Sequence, residues 1–402
     1  MNILIISHMF PNKRNPVHGV FVYKQAEALA TIGHEVTVVA PLPWAPWPLS
    51  LLKKEWGALA ETPPHERVDR MDVFRPRYVA FPRALLFCSS GDRLRRSLDS
   101  FCDRRLSNRE FDLIHSNVGI PDGYAGIYLA DRMRCPHVVT IHGQDFHLTA
   151  EKSRECHEKL RRVLASSSRV VTVSSKLARL GTELYPDIAQ KTVVLPNGVN
   201  AEEIDEARRH PAPLAIGKPL IVSVSNLVPT KGVDINLKAI SSLVTSMPEL
   251  AYVIIGDGPE RRRLEQLAHE LGISSNVRFL GRLEHGAVLR HIAAADIFVL
   301  PSWQEGFGVV YLEAMALGKP VIACSGEGPA DFIEDGVTGF LVPPRDVESV
   351  AQLVRWLAEN EEERFAVGRR ASQFVLGNFT WIDVARKLDT LYREVVDEFK
   401  SH

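Results

Sequence analysis

The chain has 402 residues, 45% of them hydrophobic and 24% charged, which is the composition of an ordinary soluble globular protein long enough for two domains. The net charge of −1 hides an asymmetry, because the first 200 residues carry 27 Lys and Arg against 20 Asp and Glu. The amino-terminal half therefore favours anionic partners. Its basic residues are dispersed and accompany no groove-reading motif, which argues against nucleic acid.

Local composition argues against an integral membrane protein and a secreted one. Residues 36–52 lack charge, but four prolines interrupt them and they are shorter than the roughly 18 apolar residues of a spanning helix. The first strand begins without a charged leader, so no signal peptide is predicted. The cysteines are odd in number and form no close pair, so we expect reduced thiols in a cytoplasmic protein: Cys88, Cys102, Cys135, Cys156 and Cys324.

The amino-terminal half alternates short apolar runs with helical patterns. A strand at 2–7, an amphipathic helix at 20–32 and a strand at 35–40 form an opening βαβ unit. Further strands are predicted at 111–115, 137–142, 169–173 and 192–195. This alternation is typical of a doubly wound α/β domain. A long irregular segment, 41–108, separates the second strand from the third and overlaps a basic helix-like run at 92–109.

A charged, proline-containing segment at 201–219 is interpreted as a domain boundary, beyond which a second alternation begins. Its strands are predicted at 220–225, 251–256, 277–281, 296–300 and 320–324. Amphipathic helices follow at 347–358, 361–377 and 381–399, with no further strand. The predicted domains are therefore 1–200 and 201–380, with 381–402 as a helix that packs back on the first domain. Two such domains place a cleft between their strand ends.

Two carboxylates flank the start of the helix that follows the strand at 296–300. Glu313 has apolar helical neighbours, and an unpaired carboxylate there would be costly, so a ligand with hydroxyl donors is favoured over a solvated face. Glu305 lies beside Gly306 and Gly308, which let the backbone approach a ligand closely, although turn glutamates are usually only solvated. The start of this helix also favours an anion such as a phosphate.

Other predicted strand ends also carry candidate residues. Lys231 precedes a predicted helix start, where a cation can clamp phosphate oxygens, but an exposed surface lysine is an equally good interpretation. His142 follows a strand, and position alone favours a structural hydrogen bonder over a ligand. His18 and Gly19 open the first helix, whose amides are available to an anion.

These residues resemble the retaining glycosyltransferases of family 4, which have the GT-B fold: two Rossmann-like doubly wound α/β domains facing an interdomain cleft. The resemblance is carried by Glu305-Gly306-Phe307-Gly308 followed by Glu313-Ala314-Met315-Ala316, two glutamates with seven residues between them. It extends over nearly the whole chain. The other matching motifs are HG at 18–19, HGxD at 142–145, PNGV at 196–199, PTKG at 229–232, GDGP at 256–259, FLG at 279–281 and GFLVP at 339–343.

The resemblance implies a nucleoside-diphosphate sugar as donor, with UDP, GDP or ADP as the nucleotide, and neither a bound metal nor another cofactor. Glu313 would hold the ribose hydroxyls. Glu305, Lys231 and His142 would be catalytic, acting on the sugar and the diphosphate during same-face attack that retains the anomeric configuration. Asp145 and His18 would lie on the acceptor side. The remaining donor-binding residues would be Gly306, Phe307, Gly308, Val309, Ser225, Asn226, Gly19, Leu280, Gly281 and Arg282.

One departure from the family pattern concerns the diphosphate. Many members carry Gly-Arg where this chain has Ser225 and Asn226, and Asn226 brings no charge. Either donor affinity is weaker, or another cation such as Arg282 compensates.

The predicted activity is sugar transfer to a glycan or lipid-linked acceptor in cell-envelope or exopolysaccharide synthesis. A nucleotide-sugar epimerase and a catalytically silent scaffold of the same fold stay open as alternatives. The first domain also carries a group of basic residues and tryptophans. Two interpretations fit them equally well: contact with an anionic membrane surface, at the inner face of the membrane, or a solvated helix with tryptophans in the core. These residues are Trp44, Trp47, Arg93, Arg95 and Arg96.

Overall fold

The structure is a computed structural model that describes residues 1–12, 15, 18–44, 62–81, 86–214 and 216–401. It separates into two compact units. The first comprises Met1–Asn197 together with Trp381–His402, and the second comprises Gly198–Thr380.

The first unit is built on a mostly parallel sheet with the strand order β10-β9-β8-β7-β1-β2-β5-β4, in which only β4 runs antiparallel to its neighbour. A separate pair, β3 and β6, lies beside it. The strands are β1 Asn2–Ile6, β2 Glu35–Val39, β3 Leu42–Trp44, β4 His65–Val68, β5 Met71–Phe74, β6 Arg77–Val79, β7 Leu113–Asn117, β8 His137–Ile141, β9 Arg169–Thr172 and β10 Thr192–Val194. The helices are α1 Val20–Thr31, α2 Ser90–Arg105, α3 Tyr124–Met133, α4 Ala150–Lys152, α5 Arg154–Ser166 and α6 Ser175–Leu184.

The first strand shows why this sheet is covered on both faces. Side chains of a strand alternate between its two faces, and Ile3, Leu4, Ile5 and Ile6 are all completely buried. Ile3 and Ile5 pack in a cluster with α1, whereas Leu4 and Ile6 pack in another cluster with α2. A strand that is apolar on both faces is typical of a parallel sheet with helices on each side, which is the predicted arrangement.

The last helix, α14 Trp381–Lys400, belongs to the first unit although 183 residues of the second unit precede it. Its apolar stripe packs in the cluster that also contains Val22 of α1 and Ile3 of β1. The buried Tyr392 hydroxyl lies 2.6 Å from Nδ1 of His115 on β7. The helix is therefore anchored in the core of this unit by apolar packing and by a buried hydrogen bond.

The second unit has a parallel sheet with the order β13-β12-β11-β14-β15-β16. Its strands are β11 Leu220–Val224, β12 Ala251–Ile255, β13 Val277–Gly281, β14 Ile297–Val299, β15 Val321–Cys324 and β16 Phe340–Val342. Its helices are α7 Ala201–Arg209, α8 Val233–Leu243, α9 Arg261–Glu270, α10 His285–Ala294, α11 Val309–Ala316, α12 Val347–Glu359 and α13 Glu361–Asn378. The expectation of no strand after the one at 320–324 was wrong, because the short run at β16 extends the sheet edge beside β15.

The expectation that every cysteine is reduced was also wrong. Cys88 and Cys156, 68 residues apart, form a disulfide. The turn before α2 and the first turn of α5 meet in the fold, a contact that spacing in the sequence cannot reveal. Cys102, Cys135 and Cys324 are buried thiols outside the disulfide, and burial raises the pKa of the Cys102 and Cys135 thiols to about 12. Since disulfides are rare in cytosolic proteins, the cysteines no longer support the predicted cytoplasmic location.

This disulfide predicts a specific thiol count. Denatured protein should titrate three thiols without reductant and five after reduction, because only the Cys88–Cys156 pair is linked. Replacing Cys88 with serine should lower the free energy of unfolding by roughly 4 kcal/mol, since the bond closes a long loop in the unfolded chain. The Cys88→Ser/Cys156→Ser double variant should lose no more than either single variant. Five thiols without reductant would contradict the assignment.

Candidate active site

The candidate residues lie at the carboxyl ends of the parallel strands, where ligands bind in open α/β sheets. In the second unit, Lys231 follows β11, Glu305 follows β14, and Glu313 lies in α11. In the first unit, His142 immediately follows β8 and Asp145 comes three residues later. Each unit therefore presents its own set of polar side chains, and the two sets are described in turn.

The turn between β14 and α11 has the structure that its glycines predict. Gly308 has a φ of +84° and precedes α11, and a side chain at this position would come within 2.5 Å of the Tyr311 ring. Phe307 is buried, with its ring centroid 5.2 Å from that of Phe332. The Glu305 amide donates to Oε2 of Glu327, 2.6 Å away. The backbone of the turn is therefore fixed from both ends and presents the start of α11.

Lys231 and Glu305 form an ion pair in the second unit. The Lys231 Nζ lies 2.7 Å from Oε2 of Glu305, and the two side chains are 20% and 14% exposed. The interpretation of Lys231 as an exposed surface lysine was therefore wrong. An ammonium has three N–H donors, so Lys231 can bind a second anion while it remains paired with Glu305.

Glu313 is not the unpaired carboxylate that the sequence suggested. Its Oε1 lies 2.7 Å from Nε2 of His285, whose Nδ1 lies 3.2 Å from Oε2 of Glu203. The hydrogen bonds to Glu203 and Glu313 raise the pKa of His285 to about 10 although burial acts in the opposite direction. His285 and Glu203 were missed because they lie far from Glu313 in the sequence, and neither belongs to a recognisable motif.

The loops after β11 and β12 pack directly against each other. A Cβ on Gly256 would lie 1.8 Å from the carbonyl oxygen of Ser225, so only glycine allows this approach. The Ser225 hydroxyl is buried and has no hydrogen-bond partner within the described residues. Asn226 is exposed. The predicted departure from the family pattern therefore leaves a hydroxyl and an amide at this strand end, and both can hydrogen-bond to a ligand.

The end of β13 carries the remaining predicted residues of this unit. Leu280 is half-buried, Gly281 accepts a hydrogen bond from the amide of Gly256, and Arg282 is exposed. Arg261, which was not predicted, also reaches this loop, with Nη1 3.1 Å from the position that a Cβ of Gly281 would occupy. Its charge is shared with Glu265 Oε1, 2.9 Å away.

In the first unit, His142 lies in a mostly apolar environment. Its Nε2 lies 3.0 Å from Oδ1 of Asn117, which assigns the Nε2 proton to a hydrogen bond with the amide oxygen. Its ring packs against Phe21, with the centroids 4.5 Å apart. Burial lowers the pKa of His142 to about 3, so the imidazole is neutral near pH 7.

Buried polar atoms without partners surround this histidine. Asp145 accepts a 2.6 Å hydrogen bond from the Gly119 amide through Oδ1, but Oδ2 has no partner among the described residues. The same holds for Nδ2 of Asn117. Burial raises the pKa of Asp145 to about 6. Since buried polar atoms are nearly always satisfied in native proteins, these two atoms are available to hydrogen-bond to water or to a polar ligand.

A histidine–aspartate pair at the end of β1 was not predicted. The His8 Nδ1 and backbone amide lie 2.8 and 3.1 Å from Oδ2 of Asp122, which is completely buried. Burial lowers the pKa of His8, but the charge and hydrogen bond of Asp122 outweigh this effect and raise it overall. The other oxygen of Asp122 has no partner among the described atoms. The available signal was the position of His8 two residues after a strand.

The two residues at the start of the first helix occupy different environments. Gly19 is buried with a φ of +68°, and a side chain there would meet the Met9 carbonyl oxygen at 2.2 Å. His18 is exposed. The backbone at the start of α1 therefore packs closely against the loop that follows β1.

The basic surface suggested for the first unit is only partly available to an anionic partner. Arg93 donates from Nε to the Val79 carbonyl at 2.6 Å and from Nη1 to the Ser89 hydroxyl at 2.6 Å. These donors are therefore engaged in hydrogen bonds within the first unit. Arg95 stacks over Tyr128. Trp44 is exposed, and Trp47 lies outside the described residues.

Neither a membrane span nor a metal cluster is found in the described part of the chain. Across residues 1–401, apart from the gaps given above, every helix is too short or too polar to cross a bilayer. The same residues include no group of three or more His, Cys, Asp or Glu placed to hold a metal ion.

Two protein-family descriptions match this chain almost end to end. Glycosyltransferase Family 4 matches residues 18–203, and Glycosyl transferases group 1 matches residues 205–374. The chain is 30% identical to the Bacillus subtilis glycosyltransferase TuaC, named for teichuronic acid biosynthesis, over 88% of each protein. It is 31% identical to the GDP-mannose-dependent alpha-(1-6)-phosphatidylinositol monomannoside mannosyltransferase of Mycolicibacterium smegmatis, over 94% of this chain and 95% of that protein.

Solved structures identify the fold. Sucrose-phosphate synthase from Thermosynechococcus elongatus superimposes with a TM-score of 0.79 at 21% identity, covering 99% of this chain and 100% of that one. Anabaena HepE in complex with UDP gives a TM-score of 0.70 at 19% identity, covering 98% and 100%. The GT-B fold class predicted from the sequence is confirmed.

Proposed function

The chain belongs to the family 4, group 1 glycosyltransferases, and we propose that it transfers a sugar from a nucleoside-diphosphate sugar to a glycan or lipid-linked acceptor, retaining the anomeric configuration. The observation that carries this proposal is the arrangement of one ammonium and two carboxylates at the strand ends of the second unit. Lys231 is paired with Glu305, and Glu313 lies about one turn into the helix that follows the Glu305 turn. An ammonium can bind the negatively charged oxygens of a diphosphate, and carboxylates can accept hydrogen bonds from the hydroxyls of a sugar and a ribose.

Lys231 is proposed to neutralise the diphosphate leaving group. Among the residues that the structure describes, its carboxylate partner is Glu305. A diphosphate that enters would share the ammonium, and negative charge grows on its oxygens as the bond to the sugar breaks. Glu305 would then face the positive charge that develops on the sugar ring. The amides of Phe307, Gly308 and Val309 at the start of α11 would supply further donors to the phosphate.

The base and ribose are proposed to lie among the other strand ends of the second unit. Glu313 would accept hydrogen bonds from the ribose hydroxyls, and Leu280, Gly281 and Arg282 would meet the base. The buried Ser225 hydroxyl and Asn226 would serve the diphosphate. A relative is named for GDP-mannose and a structural neighbour binds UDP, so both nucleotides are candidates for this chain.

The transfer step is proposed to need no protein nucleophile. The acceptor hydroxyl would attack the sugar on the face that the diphosphate leaves, and the hydroxyl proton would pass to a diphosphate oxygen. His142 would accept a hydrogen bond from a hydroxyl of the transferred sugar through its unprotonated Nδ1, because the single ring proton of the neutral imidazole is donated from Nε2 to Asn117. Asp145 and His18 are proposed for the acceptor, along with the His8–Asp122 pair. The step is proposed to be independent of metal.

The acceptor class is proposed from the relatives. One is named for teichuronic acid biosynthesis and another for a phosphatidylinositol monomannoside, so a cell-envelope glycan or a glycolipid is expected. Transfer of the sugar to a lipid-linked acceptor would require the protein to bind peripherally at the inner face of an anionic membrane. The residues free for such a contact would include Trp44 but not Arg93, whose donors are engaged internally.

The experiment is to follow UDP-, GDP- and ADP-sugars by proton NMR with and without cell-envelope lipid extract. The proposal predicts that one donor is consumed faster with extract and that the new anomeric signal has the configuration of the donor. Consumption with epimerised product and no acceptor would indicate the epimerase. No consumption of any donor, with nucleotide binding absent, would indicate the silent scaffold.

A further inference from the structure

We propose that His285 is a positioning residue of the nucleotide site: held from behind by Glu203, it fixes the Glu313 carboxylate in the orientation that receives the ribose. This inference rests on the proposed function, because it assigns the ribose to Glu313. It concerns two residues, His285 and Glu203, that belong to no recognised motif of this chain.

Three helices of the second unit converge to make this chain of contacts. Glu203 lies in α7, His285 is the first residue of α10, and Glu313 lies in α11. The imidazole bridges the two carboxylates, with Nδ1 3.2 Å from Glu203 and Nε2 2.7 Å from Glu313. Because both ring nitrogens face carboxylate oxygens, the ring must carry both protons to satisfy both contacts, and it is then an imidazolium.

The position of His285 makes this charge informative. It stands at the amino end of α10, where the helix dipole disfavours a cation. An imidazolium persists there only because Glu203 and Glu313, the charged groups that face it within the described residues, supply two negative charges. The arrangement therefore couples the protonation of His285 to the presence of both carboxylates.

Glu313 needs such a partner, because its surroundings are apolar. Its side chain is 12% exposed, and its neighbours Leu312, Ala314 and Met315 are completely buried. Burying an unpaired carboxylate among apolar side chains is costly, so a partner for Glu313 stabilises the fold. His285 engages Oε1, so that Oε2 remains to accept hydrogen bonds from the hydroxyls of a ribose.

Glu203 holds the His285 ring in place when a ligand binds to Glu313. Its backbone amide donates to Oδ1 of Asn200, the residue that caps α7, and Asn200 Nδ2 lies 3.4 Å from Oε1 of Glu203. Glu203 is thus held at the first turn of its helix, and its other oxygen meets the imidazole. Asn200, Glu203 and His285 therefore hold the Glu313 carboxylate in place, and none of them has to be displaced before the ribose binds.

The test measures UDP, GDP and ADP affinity by calorimetry for four proteins: wild type, His285→Ala, His285→Gln and Glu203→Gln. The expected loss is about ten-fold or more for His285→Ala, because a hydrogen bond to a buried charged group is removed. His285→Gln should recover part of the affinity, since its amide can still donate to Glu313. Glu203→Gln should lose about three-fold. The matched control is His291→Ala on the same helix, whose Nδ1 lies 2.7 Å from the Ala287 carbonyl oxygen and whose removal should not affect affinity.

A second readout separates positioning from mere structural support. Nitrogen-15 NMR of the histidine rings should show His285 still protonated at pH 8 in the wild type and titrating at lower pH in Glu203→Gln. Tighter or unchanged binding in His285→Ala, or a wild-type ring that is neutral at pH 8, would overturn the inference. If the wild type binds none of UDP, GDP and ADP, the proposed function fails as well; if it binds one of them and His285→Ala binds it equally, only this inference fails.

Discussion

Replacing Lys231 with alanine is expected to slow cleavage of the donor by about 10²–10³-fold at saturating donor concentration, the usual cost of removing one preorganised group that stabilises developing negative charge. The ammonium lies 2.7 Å from Glu305 and is only 20% exposed, so solvent cannot replace it fully. Its removal also leaves Glu305 with an uncompensated charge beside the phosphates, which should weaken donor binding. The measurement is the rate at which nucleoside diphosphate is released.

Two variants make this result specific to the site. Lys231→Arg keeps the charge in a larger, planar group and should recover part of the rate. Lys238→Ala removes a half-exposed lysine from the following helix, 3.9 Å from Asp234, and should leave the rate unchanged. The account would be contradicted if Lys231→Ala, with an unchanged melting temperature, cleaved the donor within about three-fold of the wild-type rate.

Acidification is expected to destabilise the first unit selectively. His115 and His137 on adjacent strands are buried, and burial lowers the pKa of each to about 3. Their ring nitrogens face the hydroxyls of Ser116, Thr140, Ser167 and Tyr392. The folded pKa is below the unfolded value of 6.5, so the stability that these rings contribute is present above pH 6.5 and is lost progressively as the pH falls towards 3.

The size of the effect follows from proton linkage. Each histidine contributes a slope of about 1.4 kcal/mol per pH unit in this window, or roughly 2.7 kcal/mol for the pair. Asp145 has the opposite effect on the dependence of stability on pH. Its pKa is raised to about 6, so the stability that it contributes is present at low pH and is lost as the pH rises through 6. In the second unit, His285 has a pKa raised from 6.5 to about 10, so the stability that it contributes is fully present below pH 6.5 and is lost progressively as the pH rises towards 10.

Hydrogen exchange in urea at pH 7 and pH 5, read from peptides of each unit, measures these slopes separately. The first unit should lose stability over this interval by more than the second. His137→Gln should be less stable at pH 7, yet its dependence on pH should be shallower by about 1.4 kcal/mol per unit. Equal acid sensitivity of the two units, or an unchanged slope in His137→Gln, would refute the explanation.

The main strands were predictable because their signals are local. The run at 2–6 is apolar on both faces, and the turn at 305–308 carries the glycines that its geometry requires. The segment 41–108 was predicted to be irregular, so the four short strands β3 to β6 within it were missed. The run at 42–44 contains a proline, and the run at 65–68 is mostly polar, with Glu66 next to Arg67. Brief strands of this kind are stabilised by pairing with a neighbour more than by their own residues.

The partners within the site could not be predicted for a different reason. Which side chains meet at a sheet edge depends on strand order, on register and on the angle at which each helix starts. Lys231 and Glu305 are 74 residues apart, and His8 and Asp122 are 114 apart. The motifs identified the types of residue in the site, but they did not predict that His285 neutralises the charge of Glu313. The same limit applies to the disulfide between Cys88 and Cys156.

The central claim is that the second unit binds a nucleoside diphosphate through Glu313, and a thermal-shift panel of UDP, GDP, ADP and their sugars tests it most directly. A nucleotide present at about 100 times its dissociation constant stabilises the folded protein by about 2.7 kcal/mol, enough to raise the melting temperature by a few degrees. The account predicts such a shift for at least one nucleotide, its loss in Glu313→Ala, and its persistence in Glu359→Ala, which alters an exposed glutamate at the end of α12. No shift at millimolar concentration, or an equal shift in Glu313→Ala, would contradict it.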